Sequence, residues 1–429
     1  MTDGKSNYQI GAGKVEITPD KPVPYLAFYP RHTLFKGTHD PLYVRAVVVS
    51  DGITEIAIVS TDTIGVSNIV LGPDRNFTKE VRDKICAKTR ILPENIMLTS
   101  PHIHSAPETI GLRPLMDKNG VEWVEKLQER ICDAVAIAKL NTFKANLKVI
   151  KGSVDGISYN RRKDDELDTE VVVVLFESTE DDKNIIISHF ACHPVIMQVQ
   201  ELVSADYTGV LHDKIEKCIK GCEGSMFLQG ACGDIDPSVG NTKNFNDIYL
   251  TGTALAGEVI KCYAKAAFAD YPTQPVKIQV VSETVQLPSR ALPEYKECNE
   301  IIEFVESYLH NGLSVPAEHR YKEERYYRIK EGRRNYAGEI QMVRLGDILL
   351  TGIPGEPFCR IGKIIKEESR PLIGIPIGYT NDYLGYIAPS SAWDKGGYEV
   401  SCGPWSKTGP EGFVMVIESF RKLKQEIKI

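Results

Sequence analysis

Residues 95–107 read NIMLTSPHIHSAP: a short apolar run stops at Ser100-Pro101 and is followed by His102 and His104. An apolar run closed by Ser-Pro reads as the end of a buried strand, and an extended backbone directs residues i and i+2 to one side. His102 and His104 are therefore predicted to share a face. Imidazole is the commonest metal ligand and the side chain most readily tuned for proton transfer near neutral pH. The chain carries nine histidines, and a lone histidine is ordinarily a hydrogen-bonded loop residue, so the pair gains meaning only from partners elsewhere.

The same kind of run recurs along the chain. YVRAVVVSDG (43–52), EIAIVSTD (55–62), EVVVVLFE (170–177), NIIISHFACHP (184–194), SMFLQGACGD (225–234) and GDILLTGIPGEP (346–357) are apolar segments closed by turn residues, and they read as buried strands. Between them Val124, Leu127, Ile131, Ala134 and Val135 recur at helical spacing, as do the apolar positions of 253–268 and 299–309. The segment YKEERYYRIKEGRRNY (321–336) interleaves both signs of charge and reads as a solvated helix rather than a nucleic-acid patch. The predicted class is α/β, with mixed β-sheets flanked by helices and a metal site at the ends of strands. No internal repeat, linker or composition shift divides the chain, so a single domain over 1–429 is expected.

Several strand ends carry polar groups that a core would not select. NIIISHFACHP ends at His193-Pro194, and GDILLTGIPGEP ends at Glu356, just after Pro354-Gly355. Ligands in open α/β sheets gather beyond the carboxyl ends of strands. Two histidines and a carboxylate from different strands resemble a catalytic zinc site that keeps one position open. Each residue also has a plainer reading. His193 could be a satisfied histidine before a turn proline, and Glu356 could cap a helix starting near Pro357.

Composition narrows the function classes. A net charge of −7 opposes attraction to nucleic acid or an anionic membrane, and 42% hydrophobic with 25% charged residues is ordinary for a soluble protein. The opening MTDGKSNYQIGAGK has no apolar h-region and no apolar stretch reaches eighteen residues, so neither export nor stable membrane association is expected. Ten cysteines are scattered without CxxC spacing and read as reduced cytoplasmic thiols. Cys218 and Cys222, four apart, are predicted to share a helix.

A series of motifs resembles the catalytic domain of the neutral and alkaline (non-lysosomal) ceramidases, zinc amidases that cleave the N-acyl bond of ceramide. The series runs GAGKVEITP (11–19), HDPLYVRAVVVSDG (39–52), NIMLTSPHIHSAP (95–107), NRR (160–162), HFACHP (189–194), SADYTG (204–209), GACGDIDP (230–237), PGEPF (354–358) and NDYLGYIAPSSAWDKGGYE (381–399). The resemblance implies Zn2+ held by His102, His193, Glu356 and Tyr386. It also implies that His104, the second histidine of the HxH motif, faces the substrate, that Arg161 lies near the scissile carbonyl, and that Tyr398 helps to hold the oxyanion.

Two departures from the family pattern shape the expectation. Where the family has a serine proposed as nucleophile, this chain has Asp236, in Gly233-Asp234-Ile235-Asp236-Pro237. Attack by zinc-activated water, with Asp236 or His104 accepting its proton, becomes the expected route; the alternative is that Asp236 only orients a neighbouring turn. The carboxy-terminal β-sandwich domain of typical bacterial members is also expected to be missing. The predicted substrate is accordingly a soluble small-molecule N-acyl or O-acyl compound, such as an acylated sugar or amino compound, with ceramide itself as the alternative. Two further readings compete: a (β/α)8 amidohydrolase, whose metal site also begins with HxH, and a non-catalytic homologue that keeps the fold.

Overall fold

The computed structural model describes residues 7–24, 34–111, 117–198, 200–269 and 271–427. Its largest sheet has eight strands, in the spatial order Cys222–Gln229, Asn184–Phe190, Glu170–Ser178, Phe143–Ser153, Tyr8–Glu16, Tyr43–Ser50, Glu55–Thr61, Ile96–Thr99. Only the outermost pair at each edge is parallel; the pairs between are antiparallel. A (β/α)8 barrel is thereby replaced by a mixed sheet. A second, four-stranded sheet runs Ile278–Leu287, Tyr336–Leu345, Ile348–Gly352, Ile373–Ile377.

Side-chain alternation explains how the two sheets pack. In Tyr43–Ser50, Val44, Ala46 and Val48 face a core shared with the helices Phe77–Thr89 and Lys118–Leu140. Val47 and Val49 face the opposite way, into a core shared with Val343, Leu345, Ile348 and Leu350 of the second sheet. Both faces of the strand are covered, which is why its sequence reads as an unbroken apolar run. The helices Asp206–Cys218 and Phe245–Phe268 cover the other half of the large sheet, while Cys359–Glu368 and Glu411–Glu426 cover the outside of the small one.

Lys118–Leu140 lies directly on Tyr8–Glu16. A Cβ at Gly11 or Gly13 would stand 2.0 Å from the carbonyl oxygen of Ala138 or Ala134 respectively, so the Gly-Ala-Gly stretch sets the distance of closest approach.

Three expectations need correction. Cys218 ends the helix Asp206–Cys218, whereas Cys222 opens a strand, because the chain turns through Gly221 at φ +71°. The charged segment forms the helix Arg320–Glu331, but it is not simply solvated: Glu323, Tyr326, Arg328 and Ile329 are buried. Arg328 is fully enclosed, donating to the Gly332 carbonyl at 2.8 Å and the Ser289 hydroxyl at 2.6 Å. Strand alternation does not place His102 beside His104 either. The strand stops at Thr99, and His102 adopts φ +73°, a left-handed turn.

Candidate metal centre

His102 is carried by that turn, and its strained backbone is over-determined by its surroundings. The Ile103 amide donates to the Thr63 carbonyl at 2.9 Å and the His104 amide to the Pro194 carbonyl at 3.3 Å. The Tyr379 ring stacks on the His102 ring, centroids 4.0 Å apart. His193 follows the strand Asn184–Phe190, and its amide donates to the Ile235 carbonyl at 3.0 Å. Glu356 arrives from the strand Ile348–Gly352 through a turn at Gly355, φ +148°. There a Cβ would meet the Gly385 carbonyl oxygen at 2.4 Å, so the chain Glu356–Pro357 can pair in parallel with Tyr386–Ile387 only because residue 355 is glycine.

These three turns bring the predicted residues together. The Nε2 atoms of His102 and His193 lie 3.2 and 3.1 Å from the same oxygen, Oε2 of Glu356. His104 Nε2 is 2.9 Å from His102 Nε2, and one ring nitrogen from each of His102, His104 and His193 falls within a sphere of mutual separations no larger than 4.8 Å. On the far side of each ring a carbonyl fixes the tautomer. His102 Nδ1 donates to Ile64 at 2.6 Å, and His193 Nδ1 donates to Ile235 at 3.0 Å. A carbonyl only accepts, so the Nδ1 proton is fixed on each ring, and in its neutral form each ring presents a bare Nε2 lone pair to the carboxylate oxygen. Two imidazole nitrogens and a carboxylate oxygen so placed can share a cation.

That donor set, two imidazole nitrogens and a carboxylate with a third imidazole adjacent, fits a zinc ion. The two imidazoles differ electrostatically. Burial pushes His102 down, toward the neutral form that ligates metals, whereas at His193 burial is outweighed by Cys232 and Glu356, which hold that imidazole well above its ordinary range. For Glu356 burial alone would raise the carboxyl, but the facing His102 and His193 outweigh it and hold the group well below the usual carboxylate range.

Tyrosines surround the Glu356 carboxylate. The Tyr383 hydroxyl donates to Glu356 Oε1 at 2.5 Å, and the Tyr379 hydroxyl lies 3.3 Å from Oε2. Tyr386, which the resemblance assigns to the metal, is paired with Glu356 through the main chain, and its hydroxyl accepts from Arg161 at 3.0 Å. Among the described residues no hydrogen bond joins the Tyr386 hydroxyl to His102, His193 or Glu356. Tyr379 and Tyr383 escaped the sequence reading, although Tyr379 follows the strand Ile373–Ile377 just as the histidines follow theirs.

Above this buried cluster opens a cleft of about 660 Å³, lined by His104, Arg161, Asp236, Tyr386 and Tyr398 among others. Arg161 spans it, donating to Asp236 Oδ1 at 3.1 Å, to Glu399 Oε1 at 2.8 Å and to the Gly233 carbonyl at 2.8 Å. Asp236 Oδ1 is 3.8 Å from His193 Nδ1, and its side chain reaches the cleft. The carboxylate that holds a turn is instead Asp234, which accepts from the Cys359 amide at 2.7 Å and the Asn160 side chain at 2.8 Å. Burial drives the Tyr386 and Tyr398 phenols well above their ordinary range, so both hydroxyls keep their proton. Tyr398 stacks on Trp405 at 4.5 Å. Glu399, also unforeseen, joins Arg161 to Arg162, whose NH1 it accepts at 2.5 Å.

A family model described as neutral/alkaline non-lysosomal ceramidase, N-terminal, matches residues 8–308. That span includes His102, His104, Arg161, His193 and Asp236; Glu356, Tyr386 and Tyr398 lie beyond it. The neutral ceramidase B of Dictyostelium discoideum is 32% identical over 96 residues, a stretch that covers 20% of this chain and 13% of that protein. The crystal structure of the Pseudomonas aeruginosa neutral ceramidase superposes with a TM-score of 0.76 at 19% identity, over 99% of this chain and 75% of that one. A ceramidase complexed with C2 gives 0.74 at 16% identity, over 99% and 76%. At these identities the two superpositions establish the fold, and with the family model matching most of its length the chain belongs to the neutral/alkaline non-lysosomal ceramidase family.

Proposed function

We propose that the chain is a zinc-dependent hydrolase that cleaves an amide or ester bond of a small, water-soluble acyl compound in the cytoplasm. The observation that carries this reading is the convergence of His102 Nε2 and His193 Nε2 on one oxygen of Glu356, with both Nδ1 protons committed to carbonyls. His102, His193 and Glu356 would hold the ion, with Tyr386 as the fourth ligand the family resemblance assigns. When bound, zinc supplies Lewis acidity to a substrate carbonyl and makes water acidic near neutral pH.

This chain's own groups account for the rest of the reaction. Hydrolysis adds water across the acyl bond, so one proton leaves the water and one reaches the departing nitrogen or oxygen. Asp236 and His104 both line the cleft and would accept the water's proton, which His104 would return to the leaving group. Arg161 and the neutral Tyr398 phenol face the same space and would steady the negative oxygen of the tetrahedral intermediate. A carboxylate nucleophile would give a mixed anhydride, whereas a carboxylate base needs only to hold a proton, which favours direct attack by water.

Ceramide hydrolysis is the second reading, favoured by the family. The test is turnover of N-acyl and O-acyl compounds of increasing chain length by zinc-loaded and chelator-treated protein. Short-chain compounds should be cleaved better than long-chain ceramide, and only by the loaded protein. A strong preference for long-chain ceramide in detergent would select the second reading, and activity indifferent to chelation would remove the metal from the account.

A further inference from the structure

The cleft that leads to the metal centre has an unusual wall. Of its described lining residues only Val195 is aliphatic. Its charged groups are already committed: Arg161 to Asp236 and Glu399, Arg162 to Glu399, and Lys395 to Asp164. Two side chains stand apart. Among the described residues, neither the Gln198 nor the Asn241 side-chain amide has a hydrogen-bond partner in the protein, and both line the cleft. Gln198 sits on the turn that follows His193, where its main-chain amide donates to Val195 at 3.1 Å, and Asn241 follows Gly240 on the turn after Asp236. The two turns are tied together, since the Lys243 amide donates to the Ile196 carbonyl at 3.1 Å.

A free carboxamide offers one acceptor and two donors and no charge, which matches a hydroxyl that both donates and accepts. The cleft also holds the Tyr398 ring, backed by Trp405, a flat apolar surface. A ring whose face is apolar and whose edge carries hydroxyls would meet both. Among the described lining residues an alkyl chain would meet one aliphatic side chain, Val195.

Building on the hydrolase reading, we infer that Gln198 and Asn241 form a recognition subsite for the hydroxyls of a neutral, polyhydroxylated leaving group, so that the substrate class is an acylated amino sugar or a similar hydroxylated amine. Gln198 is half-buried and Asn241 exposed in the cleft, so each hydroxyl they bond adds about one net hydrogen bond that an analogue without it lacks.

The experiment compares three N-acetylhexosamines (gluco, galacto and manno) with N-cyclohexylacetamide, which keeps the acetamide and a six-membered ring but has no hydroxyls. kcat/KM is measured on the zinc-loaded full chain and on Gln198→Met, Asn241→Leu and the double variant. At least one hexosamine should exceed the cyclohexyl compound by about 10-fold, the scale of one or two net hydrogen bonds, and the double variant should erase most of that ratio through KM. Equal values in the wild type, or a ratio unchanged in the double variant, would overturn the subsite. Hydrolysis of p-nitrophenyl acetate, lost on chelation, reports separately on the hydrolase reading. Should no amide be turned over, saturation-transfer NMR of the same hexosamines decides: binding by the wild type that the double variant loses supports the subsite, and absence of binding overturns it.

Discussion

The Tyr383 hydroxyl donates to Oε1 of Glu356 at 2.5 Å, while Oε2 of the same carboxylate faces the Nε2 atoms of His102 and His193. Oε1 is thus anchored by Tyr383, while Oε2, which also accepts from the Tyr379 hydroxyl at 3.3 Å, is the oxygen turned toward both imidazoles. Partners of this kind orient metal ligands, and their removal commonly costs about 10- to 100-fold in metal affinity. Tyr383→Phe should retain the fold and lose zinc to a competing chelator at a concentration about 10- to 100-fold lower than the wild type. Equal retention of zinc would show that the hydroxyl does not support the ligand.

Asp236 separates two routes. If it accepts the proton of the attacking water, Asp236→Asn should lower turnover by about 10²-fold or more with zinc still bound. Mass spectrometry during turnover should detect no acylated protein. A trapped acyl adduct would contradict direct attack by water, and full activity in the variant would leave Asp236 with only its ion pair to Arg161.

Helix-to-sheet spacing predicts opposite effects for two glycines. Gly13→Ala drives a Cβ toward the Ala134 carbonyl oxygen, 2.0 Å from its ideal position, and should destabilise by about 3 kcal/mol, the upper range for overpacking. Gly257, inside the helix Phe245–Phe268, has nothing within 4 Å of that point. Gly257→Ala should therefore stabilise by about 0.5–1 kcal/mol, through helix propensity. Denaturant unfolding of both variants checks the pair, and the same sign for both would contradict the packing described.

Acid sensitivity should have one identifiable source in His189. Its Nε2 donates to the Pro376 carbonyl at 2.8 Å, while Nδ1 is buried without a partner among the described residues. Burial first, and then the nearby Lys366, push its pKa down to about 4. The unfolded imidazole titrates near about 6.5, so between pH 6.5 and 4 the unfolded chain binds a proton that the native state refuses. The stability difference owed to His189 is complete above that window and declines as pH falls through it. His189→Met should show a shallower loss of denaturation midpoint from pH 7 to 4.5 than the wild type. Parallel curves would remove His189 from the acid response.

Much of this architecture could be read from the chain, for a physical reason. Runs such as 43–52, 55–62 and 170–177 are buried on both faces, so their unbroken apolar character marks the strands Tyr43–Ser50, Glu55–Thr61 and Glu170–Ser178 within a residue or two. Polar residues just beyond such runs then singled out His102, His193 and Glu356. What failed depended on distant partners. The left-handed turn at His102 is imposed by Thr63, Pro194 and Tyr379, and no local pattern encodes it. Arg328 is buried because Ser289 and Lys407 meet it across the fold, whereas its own segment shows only charge. Tyr383 and Glu399 lie in loops, where neither strand nor helix period distinguishes a working side chain from a solvated one.

The central claim is that His102, His193 and Glu356 hold one zinc ion. Metal content per chain, measured on purified wild type and on His102→Ala, His193→Ala and Glu356→Gln after identical zinc loading and desalting, tests it most directly. The account predicts about one zinc per chain in the wild type, as for a mononuclear catalytic site, and loss of most of it in each variant, with the fold retained by circular dichroism. Zinc content that is unchanged in the three variants, or absent from the wild type, would contradict it.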